Sequence, residues 1–150
     1  MPPKFSLQSV LDVRRGRVEL LEIELGRLMT ARQEMEMRLL SLQEFQRDLL
    51  EQLKDAQLGE IDLSKIGLIR LNLWQVNTYM ENVSLELARL TREAGEKRLE
   101  LVQAKQSEET LEILKQKRHE AYQAEQAQIE ARAQDDLYIA RAFRNQQQGA

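Results

Sequence analysis

Apolar residues recur along the first third of this chain at alternating spacings of three and four. One series is Leu11, Val18, Leu25, Arg32, Leu39, Gln46 and Leu53; the other is Arg14, Leu21, Leu28, Met35, Leu42, Leu49 and Ala56. Eleven of these fourteen positions are apolar. Such a heptad puts a narrow stripe on one face of a helix and commits it to a partner helix. The register has no insertion, which implies a left-handed supercoil. About 50 residues of helix would run about 75 Å. Gly16 and Gly26 are weak points within it, each costing up to about 1 kcal/mol against Ala.

The pattern breaks at Gln57-Leu58-Gly59-Glu60-Ile61-Asp62-Leu63-Ser64. Gly59 suits the residue just past a helix end, where φ is often positive. Asp62 or Ser64 can cap the helix that follows by accepting a backbone N–H bond. From Ile66 the heptad resumes through Leu73, Met80, Leu87, Ala94 and Leu101, beside Ile69, Val76, Val83, Leu90, Lys97, Ala104 and Leu111. It passes Gly95 without a change of register, against a second fold-back there. Beyond Leu101 in one series and Leu111 in the other, the same positions read Glu108, Lys115, Arg118, Tyr122, Glu125, Ile129, Arg132 and Asp136, and the seam fades after Leu111 and Leu114.

If the chain folds back near residue 61, residue i of the first helix faces about 122 minus i. Leu11 then faces Leu111, and the seam ends where the first helix runs out of residues. An antiparallel intramolecular hairpin explains this ending; a parallel homodimer does not require it. The expected architecture is all-α: a long antiparallel two-helix coiled-coil hairpin with a projecting C-terminal helix. It forms one coiled-coil domain over 1–150, with a helix over about 6–57, a turn over about 58–64 and a helix over about 65–144. Residues 115 to about 143 extend as a single polar helix, marginal in water without a partner. Asn145–Ala150 is expected to be disordered.

Composition excludes several function classes. The chain is 31% charged and 5% aromatic, with two prolines, both before residue 4. This suits long helices better than a compact globule. A net charge of −3 gives no bulk attraction to nucleic acid. Cysteine is absent, so there is neither a disulfide framework nor a thiolate metal site. No apolar run reaches the roughly 20 residues of a membrane span. Met1-Pro2-Pro3-Lys4 has no signal-peptide pattern, so a cytoplasmic location is expected. His119, the sole histidine, has no ligand constellation, and Glu108, Glu109 and Glu112 read as a solvated face. No phosphate loop, GxGxxG, nucleophile elbow or HExxH occurs. No catalytic, cofactor or metal residues are expected, and no enzyme.

Two surfaces stand out. Arg14, Arg15 and Arg17, with Arg132, Arg141 and Arg144, make the end carrying both termini basic, as solvated charge or as a tip for an acidic partner. Leu68, Leu71, Trp74 and Tyr79 lie off the seam or flank it. They either wrap over the turn and close the hairpin end or form an exposed patch for a protein partner.

The run Phe5-Ser6-Leu7-Gln8-Ser9-Val10-Leu11-Asp12-Val13-Arg14 resembles the N-terminal signature of the flagellar FliJ family. Asp135-Asp136-Leu137-Tyr138-Ile139-Ala140-Arg141-Ala142-Phe143 is similar to that family's C-terminal pattern. The resemblance implies a stalk of the flagellar type III protein export apparatus, similar in fold to the central subunit of rotary ATP synthases. By that resemblance the end carrying both termini enters the hexameric flagellar export ATPase and promotes its assembly and activity. The stalk also contacts the cytoplasmic domain of the export-gate membrane protein and escorts export chaperones. The implied place is cytoplasmic, peripheral to the inner membrane at the flagellar base, and the implied processes are flagellum biogenesis, motility and chemotaxis. The ATPase contact maps to Phe5, Leu7, Arg14, Arg15, Arg141, Phe143 and Arg144. The gate contact maps to Tyr79 and Val83, with Trp74 beside them as an anchor. The alternatives are the stalk of a virulence-type secretion ATPase and a structural homodimeric coiled coil.

Overall fold

The computed structural model describes residues 2–149; Met1 and Ala150 lie outside the described residues. The fold is an all-α hairpin of two long helices packed against each other, α1 (Gln8–Ala56) and α2 (Leu63–Gln148), with no strand among the described residues. α2 runs through Gly95 unbroken. Tertiary contacts group the chain into two units. One comprises the residues through Arg17 with those from Ala104 onward; the other is Val18–Gln103.

In the Val18–Gln103 unit both heptad series point inward. Val18, Leu21, Leu49, Ile69, Val76, Leu90 and Ala94 are buried, and the other seam positions are half-buried. Near the turn, Leu49, Ile69 and Val76 form a cluster against which Leu53, Ala56, Leu73 and Met80 pack. Burying a side chain of this size contributes about 1.5–3 kcal/mol, spread along the helices rather than gathered at one centre. The polar seam residues each find a partner. The Gln46 amide donates to Asn77 Oδ1 at 2.7 Å, Lys97 Nζ meets Glu24 Oε2 at 2.8 Å, and Arg32 Nε pairs with Glu36 on its own helix at 3.1 Å. Pairs such as Gln46–Asn77 and Glu24–Lys97 run in opposite chain directions, so the packing is antiparallel, near the expected pairing rule.

The turn is built as its residues dictate. α1 closes with the Gln57 and Leu58 amides on the Lys54 and Asp55 carbonyls. Gly59 then adopts φ 74°, a conformation other residues avoid. Asp62 caps α2, its Oδ1 accepting from the Ser64 amide at 3.0 Å and the Lys65 amide at 3.4 Å. Of the two possible caps Asp62 serves, because Ser64 already lies inside the helix.

In the other unit Leu11 and Leu111 are buried. Arg14, a polar seam residue, donates from Nη1 to the Ser107 carbonyl at 2.8 Å. The segment before α1 is not helical; it lies along α2, where Phe5 is half-buried and Arg118 Nη1 donates to Ser6 Oγ at 3.0 Å. From Ala127 to Gly149 every residue is exposed, although α2 remains helical to Gln148. The disorder expected from Asn145 is therefore not seen through Gln148, while Ala150 lies outside the described residues. Glutamine is a good helix former, and the Asn145 carbonyl still accepts the Gly149 amide at 3.1 Å.

Candidate functional site

Around the gate-contact candidates, the Val18–Gln103 unit forms a groove. Tyr79 and Val83, one turn apart on α2, line a cleft of about 470 Å³ with Met37, Arg38 and Leu42 of α1. Val83 is half-buried and belongs at once to the seam and to the groove, while Tyr79 remains 59% exposed. Trp74 is not in the groove; it stands 65% exposed, among Leu68 and Leu71, which are also exposed. Leu68, Leu71, Trp74 and Tyr79 are each more than half exposed, so these side chains do not close the hairpin end. The pairing rule of 122 minus i places residue 43, next to Leu42, opposite Tyr79, a juxtaposition that sequence reasoning passed over.

The ATPase-contact candidates divide into two groups. Of the first four, Phe5, Arg14 and Arg15 engage α2 and Leu7 is half-buried at the start of α1. The Phe5 ring lies under the Arg118 guanidinium, 5.4 Å from its centroid. Leu7 is half-buried, and its carbonyl accepts the Leu11 amide at 2.9 Å. Arg14 is held by Ser107. Arg15 pairs with Glu112 at 2.9 Å and lies 3.8 Å from Glu108. The other three, Arg141, Phe143 and Arg144, stand exposed on the end of α2. Arg141 and Arg144 form no hydrogen bond or ion pair among the described residues. The structure therefore does not gather all seven into one surface.

Three further residues on the C-terminal stretch share that exposure. Leu137, Tyr138 and Ile139 are 60%, 76% and 64% exposed. Successive residues step about 100° around a helix, so these three present apolar surface on three sides. Helical periodicity missed them because they do not form a stripe. Arg118 was also missed as a contact of Phe5, although the pairing rule places it opposite residue 4.

Electrostatics elsewhere are those of a solvated coiled coil. The Glu24 hydrogen bond holds the Lys97 ammonium above its ordinary pKa. The Arg89 hydrogen bond holds Glu86 below its own. Among the described residues no cluster of His, Asp and Glu could hold a metal ion, and no helix is long and apolar enough to cross a membrane.

Fold and surface together define an α-helical coiled-coil hairpin protein with one unpaired helix end. Comparison with curated proteins and with solved structures gives no match. The chain belongs to the flagellar FliJ protein family, whose family model matches residues 3–148. It is accordingly a flagellar protein related to export.

Proposed function

We propose that this chain is the stalk of the flagellar export ATPase, its C-terminal helix end seated in the hole of the hexamer. The observation that carries this reading is the distribution of apolar side chains around that end. A helix docking on a flat surface needs one apolar stripe. Leu137, Tyr138, Ile139 and Phe143 instead expose apolar surface around the helix, which suits a partner that encloses it. Arg141 and Arg144 add cations that steer the end toward an acidic lining.

In this reading the stalk promotes assembly and activity of the hexamer. It couples the ATPase to the cytoplasmic domain of the export gate through the Tyr79–Val83 groove, and it escorts export chaperones. It works in the cytoplasm, peripheral to the inner membrane at the flagellar base. The stalk of a virulence-type secretion ATPase is the less favoured reading, because the family matched is flagellar.

ATP hydrolysis and hexamer formation by the flagellar export ATPase, with and without this chain, test the proposal. The full chain is expected to stimulate both, and a chain ending at Gln134 neither. The residues removed are exposed, so the truncated hairpin keeps its packing. Equal stimulation by the truncated chain would remove the enclosed-end reading.

A further inference from the structure

One cavity shares Phe5 with the ATPase-contact candidates but lies away from the Tyr79–Val83 groove and from the exposed end of α2. The segment before α1 lies along α2 and leaves a cavity of about 290 Å³ between itself and the stretch Lys115–Tyr122. That volume is at the lower end for small-molecule sites. Lys4, Lys115, Arg118 and His119 line it, and no carboxylate does. Phe5 and Tyr122 supply aromatic walls.

What sets these cations apart is that they line one cavity together, with no carboxylate in its lining. Arg15, Arg32, Arg89 and Lys97 each meet a carboxylate. Lys4, Lys115 and Arg118 form no ion pair among the described residues. Three cations gathered without counter-charge repel one another, and a bound anion relieves that repulsion. Arg118 is also held in place: its guanidinium spans the Phe5 ring and donates one bond to Ser6, which leaves further N–H donors of its fork. Pro2 and Pro3 restrict the segment that closes the cavity.

We infer that this cavity binds a small phosphorylated aromatic ligand of the nucleoside monophosphate class. The phosphate sits among Lys4, Lys115 and Arg118, and the ring lies against Phe5 and Tyr122. Charge-assisted bonds to phosphate fix the anionic end, and stacking on the aromatic walls adds affinity for the base. The inference does not depend on the stalk reading, since it uses none of the exposed end of α2.

The test is a titration of the full chain with AMP and, separately, with inorganic phosphate, followed through backbone amide shifts. Saturable shifts at residues 3–6 and 115–122 are expected, with AMP binding about tenfold or more tighter than phosphate. Lys115→Gln should weaken AMP about tenfold through the loss of one charge-assisted contact. Arg70→Gln, a cation outside the cavity, should bind as the wild type does. Arg118→Gln should weaken binding too. Because that change also frees Phe5 and Ser6, Lys115→Gln is the deciding variant. Equal weakening by Arg70→Gln, non-saturating shifts, or AMP binding no better than phosphate would each overturn the inference.

Discussion

Lys97 sits at a seam position of α2 and meets Glu24 of α1, Nζ to Oε2, at 2.8 Å. It also lies 3.6 Å from Glu100 on its own helix. A cation in an apolar seam is tolerated because its head leaves the seam for solvent and a carboxylate, while its stem covers apolar surface. The Glu24 hydrogen bond raises the Lys97 pKa above 10.5, ahead of the attraction of Glu100. The ammonium therefore stays charged in the folded chain beyond the pH at which it deprotonates when unfolded. This contribution to stability is fully present below pH 10.5 and is lost as pH rises through the raised value. Melting temperatures measured across that range should fall more steeply for the wild type than for Lys97→Met. Parallel curves would show that the pair adds nothing.

Leu21 is 1% exposed and its neighbour Leu20 is 49% exposed. Leu21→Ala should cost about 2–5 kcal/mol by removing packed methyl groups from a core one or two side chains thick. Leu20→Ala should stay within about 0.5 kcal/mol. Urea melts followed by helical dichroism distinguish them, and equal costs would contradict the seam.

The glycines separate by backbone conformation rather than by space. An added Cβ would meet nothing within 4 Å at Gly26, Gly59 or Gly95, yet only Gly59 of these has positive φ. Gly26→Ala and Gly95→Ala should each stabilise the hairpin by about 0.5–1 kcal/mol. Gly59→Ala should destabilise it by about 1 kcal/mol, the strain of a left-handed backbone on an L-residue. Thermal melts of the three variants check both signs.

Asp62→Ala removes the acceptor for two amides at the start of α2. The expected cost is about 1 kcal/mol. Asp62→Asn keeps the cap and should recover most of it. If the Asn variant melts with the Ala variant, the side chain is not capping.

Much of the fold was legible because burial follows the heptad with little noise. Residues chosen for spacing alone, from Leu11 to Ala56 and from Ile66 to Leu111, are the ones the structure turns inward. The end of the seam marks where α2 leaves α1, but the single helix expected from residue 115 begins later: the segment before α1 still contacts α2 at Arg118, and α2 is exposed throughout only from Ala127. The clasp of Arg118 on Phe5 was not legible, because periodicity carries no information about a non-helical segment that turns back along a helix. The exposed run Leu137–Ile139 was hidden for the opposite reason: three adjacent apolar residues have no preferred face, and a search for stripes discards them. The groove at Tyr79 needed the register of both helices together, since Met37 and Leu42 come from α1.

The antiparallel pairing has a kinetic consequence. Gln46 and Asn77 are 31 positions apart in the chain, whereas Ser6 and Arg118 are 112 apart. Closing the longer loop first costs about 1 kcal/mol more in chain entropy, so helix pairing is cheapest to begin beside the turn and to advance away from it. The contacts between the N-terminal segment and α2 are then the last to form and the first to open. A chain still being assembled, or briefly loosened, keeps its turn and its Leu49–Ile69–Val76 cluster while that segment comes free. Amide exchange should therefore be slowest around that cluster and, among the residues where the two arms of the hairpin meet, fastest where Phe5 meets Arg118.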